Sequence, residues 1–357
     1  MLRPSAVDLF AGAGGATRGL RDAGLDVLAA VENDVEAAAT YRQNHPRVKL
    51  LSCDIRQVDP FELLRSIGLR QGQLDVLKAC PPCQGFSTLA KGEVDQERND
   101  LVLDVARFVD GMLPKILLLE NVPGLQRDAR LSTLLNHLRG KGYTFRGDAL
   151  DATSFGVPQR RKRFILFAVR GDLLFSPHEE ILSLLPGTFA TSRRTARNVL
   201  DHLKRHLRPG DPLDVHRENS PVVRRRIESI PVNGNRFDLP AEHQLDCHRK
   251  LKNRSAASSY GRVKLDEPAP TMTTRCTTPA CGTFVHPTEH RGLTLREAAT
   301  FQTFPVSYAF TGNYGSIERQ IGNAVPVRMA KGLGLIASAI LQRSATASVN
   351  DVSLGEG

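Results

Sequence analysis

Short apolar runs alternate with segments of helical periodicity through residues 5–170, and this alternation restricts the fold more than any other feature. The apolar runs are AVDLF (6–10), DVLAAV (26–31), VKLLS (48–52), LDVLKA (74–79), KILLLE (115–120) and FILFAV (164–169). Helical patterns lie between them at 16–22, 35–44, 61–67, 101–112 and 131–140. Strand and helix repeated in this order predict an α/β fold, a doubly wound and mostly parallel sheet with helices on both faces. Ligands of such sheets bind beyond the carboxyl ends of the strands.

The regular alternation stops after Gly171, which indicates a second, smaller domain. Residues 175–290 are rich in loops, proline and glycine, and helical pattern returns at 293–301 and 326–341. We therefore expect a catalytic and cofactor-binding domain over 1–174, a second domain over 175–290 and a segment over 291–343 that returns to the first. Residues 344–357 are small and polar, which predicts a disordered tail.

Composition and charge indicate a globular protein with a polyanionic partner. No apolar run approaches the ~18 residues that span a bilayer, and the N-terminus lacks the apolar region of a signal peptide. Six cysteines in 357 residues do not form a disulfide scaffold, so we expect reduced thiols and a cytoplasmic protein. The net charge is +10, and residues 193–254 hold 15 Lys and Arg against 8 Asp and Glu. A basic surface of this kind is typical of nucleic-acid binding.

A glycine loop and two acidic residues predict a nucleoside site. The stretch DLFAGAGG (8–15) is a strand that leads into a glycine-rich turn, where Gly12, Gly14 and Gly15 allow close approach of a ligand. Its spacing differs from the G-x-G-x-x-G that is typical of pyrophosphate binding. Glu32 and Asp54 follow the next two strands, as acceptors for ribose hydroxyls and an adenine amino group, and Phe10 offers a ring for stacking. A nucleoside without phosphate, such as S-adenosylmethionine, fits this pattern.

The pair Cys80 and Cys83 in ACPPCQGFS (79–87) allows three interpretations, a redox dithiol, half of a zinc site or a single catalytic thiolate. No second Cys-x-x-Cys exists, and the other Cys and His residues are distant and irregularly spaced, so we expect no metal. Glu120 ends the next strand, and QRRKR (159–163) follows. Alternation there predicts that Gln159, Arg161 and Arg163 share one side. A thiol, a carboxyl and arginines near a nucleoside favour the catalytic interpretation.

Taken together, these motifs resemble those of the cytosine-5 DNA methyltransferases of the bacterial restriction-modification type. The motifs DLFAGAGG, VEND, CDI, PPCQGFS, ENV, QRRKR, RGLTLREAATFQTFP (291–305) and QIGNAVP (320–326) occur in the order of that family. The resemblance implies a Rossmann-like S-adenosylmethionine-dependent methyltransferase domain with a target-recognition domain over 175–290. It departs from the family at Ala79-Cys80, where glycines are common, and at Thr300-Phe301, where Arg-Leu is usual. We interpret Cys80 as a thiol of the pocket wall.

The resemblance also implies roles for individual residues. Cys83 attacks carbon 6 of a flipped cytosine, Glu120 in its protonated form hydrogen-bonds ring nitrogen 3, Arg163 holds the oxygen on carbon 2, and Arg161 steadies the cysteine loop. The implied cofactor residues are Phe10, Ala11, Gly12, Gly14, Gly15, Glu32, Asn33, Asp54, Ile55, Pro82, Leu101, Asn323 and Val325. The expected DNA contacts are Gln84, Ser87, Gln159 and Arg275, of which Arg275 is the candidate base reader. Thr294 and Glu297 are expected to form a helix capping box.

Double-stranded DNA is the implied partner of a monomeric enzyme, and a cognate restriction endonuclease acting separately is compatible with the resemblance. Transfer RNA is the nearest alternative substrate, because one branch of the family methylates RNA. A catalytically silent DNA-binding module and a nucleotide-dependent redox protein that uses Cys80 and Cys83 are alternatives of other classes. The recognised DNA sequence is not readable from these residues.

Overall fold

The computed structural model describes residues 3–82, 96–189, 192–250 and 258–354. Contacts divide the chain into two compact units. Unit 1 comprises Met1–Asp151, Lys162–Ala190 and Val327–Gly357, and unit 2 comprises Ala152–Arg161 and Thr191–Pro326. The division differs from the predicted boundaries at three places. Residues 152–161 group with unit 2, residues 175–190 group with unit 1, and the returning segment joins unit 1 only from Val327 onward.

Unit 1 contains a seven-stranded sheet in the order β3-β2-β1-β4-β5-β7-β6. The strands are β1 (Ser5–Leu9), β2 (Asp26–Val31), β3 (Lys49–Leu51), β4 (Val76–Ala79), β5 (Ile116–Asn121), β6 (Tyr143–Asp151) and β7 (Lys162–Arg170). The first five pair in parallel, and β7 pairs antiparallel with both β5 and β6. The predicted α/β fold with a mostly parallel sheet is confirmed. Every predicted strand is present, and β6 is a strand that the sequence did not predict.

The residues of each strand alternate between the two faces of the sheet, so both faces carry apolar residues that need covering. Helices provide this cover. The helices of unit 1 are α1 (Gly15–Asp22), α2 (Val35–Asn44), α3 (Pro60–Ser66), α4 (Gln96–Met112), α5 (Ala129–Gly140) and α11 (Val327–Leu354). One face buries Leu9, Leu77 and Leu117 in a core shared with α3, α4 and α5. The intervening residues Asp8 and Lys78 therefore lie on the other face, where both side chains are buried.

Helices α1 and α11 pack closely, and Gly19 is the point of contact. A Cβ atom at Gly19 would overlap the carbonyl oxygen of Val327 and the Cβ of Ala330. We expect Gly19→Ala to lower the free energy of unfolding by about 1–3 kcal/mol, because overpacking outweighs the gain in helix propensity. Urea unfolding of unliganded protein measures this. Gly140→Ala is the matched control, since no atom lies within 4 Å of its Cβ position. Equal stability of the two variants would contradict this packing.

Helix α11 corrects the predicted C-terminal tail, because its backbone is helical as far as Leu354. The stretch Tyr314–Thr346 is long and apolar enough to cross a membrane by length and composition. The most apolar window of this stretch is 61% buried inside the protein, as in the core helix of a globular protein. The stretch is therefore weak evidence for a membrane segment.

Unit 2 is built from short helices and loops. Its helices are α6 (Ala196–His206), α7 (Pro221–Glu228), α8 (Asp246–Arg249), α9 (Leu295–Phe301) and α10 (Tyr314–Asn323). In its described part, β pairing is limited to isolated bridges such as Gln159 with Ala269. The predicted capping box begins α9. Thr294 Oγ1 accepts from the backbone nitrogen of Glu297, and the Glu297 carboxylate accepts from that of Thr294.

Candidate active site

The predicted site residues of unit 1 lie at one edge of the sheet. The carboxyl ends of parallel strands meet at the same edge, so the glycine loop, Glu32, Asp54, Pro82 and Glu120 follow neighbouring strands there. Strand β7 runs antiparallel to β5, and its amino end therefore lies at that edge too. This topology brings Arg163, which follows β5 in the chain by more than forty residues, to Glu120.

The glycine loop adopts left-handed backbone conformations directly after β1. Phe10, Gly12 and Gly14 have φ values of 56°, 55° and 88°. Glycine adopts this region without strain, whereas a bulky residue such as Phe10 does so only when its surroundings enforce it. Phe10 packs partly buried against the sheet core, and no atom lies within 4 Å of a Cβ at Gly12. The loop thus leaves an open approach to its backbone.

Glu32 ties the glycine loop to the end of β2. Its Oε2 accepts a 2.7 Å hydrogen bond from the Gly12 nitrogen, and its Oε1 accepts one of 2.8 Å from the Asp34 nitrogen. Burial raises the pKa of Glu32, although the backbone donors of Asp34 and Gly12 oppose this effect. Each carboxylate oxygen can accept a second hydrogen bond, so Glu32 can hold both the loop and a ligand hydroxyl.

Asp54 lies at the end of β3 and is more exposed than Glu32. Its Oδ1 accepts from the Arg56 nitrogen, and its Oδ2 lies 2.7 Å from Arg56 Nη2. The hydrogen bonds of the Arg56 side chain and backbone lower the pKa of Asp54. The donor set suits the predicted S-adenosylmethionine, because two carboxylates and an open glycine loop match a nucleoside rather than a phosphate. Asp34 caps α2, because its side chain accepts from the Ala37 nitrogen.

We expect alanine substitutions of Glu32 and Asp54 to weaken cofactor binding to different extents. Glu32→Ala removes an acceptor and also frees the glycine loop, so we expect it to weaken S-adenosylmethionine binding by about 1–3 kcal/mol. Asp54→Ala is expected to cost less, because its half-buried carboxylate is already paired with the side chain of Arg56. Calorimetric titration of each variant with the cofactor measures the difference. Unchanged affinity in Glu32→Ala would remove it from the cofactor site.

Glu120 is the buried acid of the site. Only 3% of it is exposed, and Cys80 Sγ donates to its Oε2 at 2.7 Å. Its Oε1 lies 3.0 Å from Arg163 Nε, an ion pair that is close but not aligned as a hydrogen bond. Arg163 Nη1 donates to the Lys162 carbonyl. Cys80 and Arg163 therefore fix the carboxyl from two sides, while Oε1 retains the capacity to hydrogen-bond a substrate.

Asn121 anchors the chain that leads to the predicted nucleophile. Its side chain is buried, and its Nδ2 donates to the carbonyl oxygen of Pro81 at 3.1 Å. Its Oδ1 accepts from the Val122 nitrogen. Cys83 itself lies outside the described residues, as do Gln84 and Ser87. Sequence reasoning assigned no role to Asn121, although its place directly after Glu120 was a usable signal.

A buried ion pair supports the same part of the sheet. Lys78 Nζ lies 2.8 Å from Asp8 Oδ1, and both side chains are at most 4% exposed. Thr17 Oγ1 donates to the second oxygen of Asp8 and contacts the Tyr41 hydroxyl. Burial acts to lower the pKa of Lys78, but the charge of Asp8, with smaller effects of Cys80 and Glu120, outweighs it and raises that pKa. The Lys78 ammonium group thus keeps its positive charge near Cys80 and Glu120.

In unit 2, Gln159 and Arg161 are both buried and bonded to other parts of that unit. Gln159 is fully buried, its Oε1 accepts from the Met272 nitrogen, and its Nε2 donates to the Phe301 carbonyl and Gln302 Oε1. Arg161 donates to the carbonyl oxygens of Met272 and Gly322. The Gln159 amide is enclosed and engaged within unit 2, and the DNA contact expected of it stays a prediction. Among the described residues, Arg161 holds loops of unit 2, while the cysteine loop from Cys83 onward lies outside them. The alternating burial predicted for QRRKR is present, since Arg160 and Lys162 are exposed.

The remaining predicted residues are placed as follows. Ala11 and Ile55 are buried in unit 1, Pro82 and Leu101 are half-buried, and Asn33 is exposed. Asn323 ends α10 exposed and Val325 is buried, both in unit 2. Arg275 is exposed in unit 2. Within the described residues, no group of three His, Cys, Asp or Glu side chains could hold a metal ion.

A buried acid and a glycine loop at the carboxyl edge of this doubly wound sheet are the features expected of the methyltransferase class. Comparison with known families agrees, since the model of the C-5 cytosine-specific DNA methylase family matches residues 5–337. The chain belongs to that family. It is a DNA (cytosine-5)-methyltransferase, and its cofactor is S-adenosylmethionine.

Two curated relatives support this assignment, and a solved structure has a similar fold. The Type II methylase M.HgiDII of Herpetosiphon aurantiacus is 33% identical over 91% of this chain and 92% of its own. The Type II methyltransferase M.Eco47II of Escherichia coli is 35% identical over 92% of this chain and 77% of its own. A putative DNA modification methyltransferase encoded within an E. coli prophage has a similar fold, with a TM-score of 0.68 at 23% identity over 95% of this chain and 99% of its own.

Proposed function

We propose that this enzyme methylates one cytosine within a specific duplex DNA sequence, after flipping that base into the pocket beside Glu120. The observation that carries the proposal is the buried Glu120 carboxyl, fixed by Cys80 and Arg163 at the edge from which Pro81 leads to Cys83. A stacked cytosine is inaccessible to such a pocket, and flipping costs a few kcal/mol.

The chemistry that these residues support begins with Cys83. Carbon 5 of cytosine is a poor nucleophile, and addition of the Cys83 thiolate to carbon 6 makes it enamine-like. Glu120 faces ring nitrogen 3 and donates a proton as negative charge develops there, while Arg163 holds the oxygen on carbon 2. S-adenosylmethionine, when bound, supplies an electrophilic methyl group. Loss of the carbon-5 proton to water or a nearby base, return of the ring-nitrogen proton to Glu120 and expulsion of Cys83 as its thiolate complete the turnover.

Unit 2 is assigned the reading of the DNA sequence. Its short helices and loops carry most of the excess basic charge, since residues 193–254 hold 15 Lys and Arg against 8 Asp and Glu. Positive charge supplies affinity for phosphates, and exposed side chains such as Arg275 supply contacts to base edges. The relatives named above are Type II enzymes, which supports a role in modification beside a separate endonuclease in the bacterial cytoplasm. We propose that the enzyme acts as a monomer.

Bisulfite sequencing of DNA from cells that express the protein tests this function. The expected result is 5-methylcytosine at a single position of one recurring sequence. Methylation spread over unrelated sequences would contradict the sequence-reading role of unit 2. A parallel assay of duplex DNA and transfer RNA with labelled cofactor separates the two substrates, and methyl transfer to transfer RNA alone would overturn the DNA proposal.

A further inference from the structure

The loop Met272–Thr278 in unit 2 presents Arg275 at its exposed tip between buried neighbours. Arg275 is exposed, whereas Met272, Cys276 and Thr277 are buried completely. Two successive turns shape the tip, since the Cys276 nitrogen donates to the Thr273 carbonyl and the Thr278 nitrogen donates to the Arg275 carbonyl. The Arg275 nitrogen also donates to Thr273 Oγ1. These hydrogen bonds fix the backbone conformation from which the Arg275 side chain extends.

The first end of this loop is fixed by the QRRKR segment. The Met272 nitrogen donates to Gln159 Oε1 at 2.8 Å, and Arg161 Nη1 donates to the Met272 carbonyl at 2.9 Å. Arg161 Nη2 donates to the Gly322 carbonyl, which ties the loop to the end of α10. A Cβ atom at Gly322 would overlap the Thr273 carbonyl, so the loop lies directly on the backbone of that glycine.

The second end of the loop is fixed by Glu318 of α10, a glutamate that is 1% exposed. Its Oε1 accepts from the Thr277 nitrogen at 2.8 Å and from Thr277 Oγ1 at 2.6 Å. Thr278 Oγ1 lies 3.3 Å from the same oxygen. Arg217 Nη2 lies 3.0 Å from Oε2, and the Tyr314 hydroxyl donates to Thr277 Oγ1. A buried carboxylate is stable only with such a set of partners.

We propose that Glu318 and Thr277 are positioning residues for target recognition, which hold Arg275 in the geometry that reads one base pair before DNA arrives. The inference rests on the proposed sequence-reading role of unit 2, and it adds the residues that preorganise the reading loop. A bidentate arginine contact to guanine depends on the angle of approach, so release of the loop costs discrimination at that base pair. Phosphate contacts elsewhere are unaffected, because they depend on charge more than on angle.

The test measures methylation rates on the cognate duplex and on duplexes with each single base-pair substitution, once bisulfite sequencing has given the cognate site. Arg275→Ala is expected to reduce discrimination at one position by about 10- to 100-fold. Glu318→Ala is expected to reduce discrimination at the same position by about 10-fold or more, with little change elsewhere. The double variant should show no further loss there, because both substitutions remove the same contact.

Two substitutions of Thr277 distinguish a positioning role from a general loss of protein stability. Thr277→Ser keeps the hydroxyl that Glu318 accepts from and should behave like the original protein. Thr277→Val removes that hydroxyl at nearly the same size and should lower discrimination about fivefold at the same position. Glu62→Ala is the control, an exposed glutamate of α3 in unit 1. Thermal unfolding of each variant is recorded alongside.

The possible outcomes are distinguishable. Loss of discrimination at one shared position in Arg275→Ala, Glu318→Ala and Thr277→Val, with Thr277→Ser unchanged, supports the inference. If Arg275→Ala loses discrimination at one position and both Glu318→Ala and Thr277→Val retain it, the positioning role is overturned while sequence reading by unit 2 stands. If Arg275→Ala loses rate equally on all duplexes, Arg275 contacts phosphate and the inference is overturned. Methylation without any sequence preference in the original protein overturns the proposed function itself.

Discussion

Cys83→Ser is expected to abolish methyl transfer, with a loss on the order of 10⁴-fold or more, the scale on which removal of a nucleophile acts in other covalent enzymes. An alcohol is far less acidic than a thiol and is present almost entirely in its protonated form near neutral pH, so it adds poorly to carbon 6. Binding of DNA and of S-adenosylmethionine should persist, because neither depends on this sulfur. Single-turnover assays with labelled cofactor, combined with binding titrations, measure both properties.

The neighbouring cysteine supplies the control for this experiment. Cys80→Ser should retain most activity, since a hydroxyl can still donate to Glu120 Oε2 in place of the thiol. Cys80→Ala removes that donor and should lower the rate moderately. Full activity in Cys83→Ser together with none in Cys80→Ser would identify Cys80 as the nucleophile and revive the redox interpretation of the pair.

Glu120→Gln is expected to lower the maximal rate about 10²- to 10⁴-fold, the usual contribution of a positioned proton donor. The amide preserves the shape of the side chain but has no acidic proton to give to ring nitrogen 3. Affinity for the cofactor should change little, because we expect Glu32 and the glycine loop, rather than Glu120, to hold it. Steady-state rates and calorimetry separate the two effects.

Glu62→Gln is the matched control for Glu120→Gln, because it makes the same chemical change at an exposed position of α3. A Glu120→Gln enzyme with an unchanged maximal rate would show that the acid takes no part in activating the ring. A fall confined to DNA affinity would indicate that Glu120 binds the flipped base without assisting the chemistry.

The strands of unit 1 were predictable because buried parallel strands are nearly continuous apolar runs. Strand β6 was missed because it is an edge strand, paired only with β7, and its sequence YTFRGDALD mixes charges and glycine with apolar residues. Gly147 within it accommodates Phe164, whose ring would overlap a side chain there. Such a compensation depends on a residue of another strand, and no local pattern reveals it.

The glycine loop, Glu32 and Glu120 were predictable because each follows a strand at the ligand-binding edge. The contact of Cys80 with Glu120 was not, since it depends on the register of β4 against β5, in which Ala79 pairs with Leu119. The engagement of Gln159 by Met272 joins residues 113 apart in the chain. Sequence alternation gave the correct side for Gln159 but could not identify what that side faces.

Unit 2 was the least predictable part because its helices are short and amphipathic only over a few turns. Helix α6 carries Val199, Leu200 and Leu203 on its buried side among charged neighbours, a pattern that a basic, proline-rich context obscures. Helix α10 lies between loops and follows the irregular stretch FPVSYAFTGN (304–313), which contains three aromatic residues. Packing within the unit, rather than intrinsic propensity, stabilises elements of this length.

The path of the chain through the two units limits how they can be recombined. The chain leaves unit 1 after Asp151 and again after Ala190, and returns at Lys162 and Val327. A graft of residues 175–290 from a relative would therefore keep the original 152–161 and 291–326, which carry Gln159, Arg161 and Glu318 beneath the incoming Arg275 loop. In such a hybrid, the relative's version of the Arg275 loop would contact Gln159, Arg161 and Glu318 of this chain, which are not matched to it. A hybrid that exchanges 152–161 together with 191–326 preserves those contacts, and it is the smallest transplant in which the loop and its supporting residues travel together.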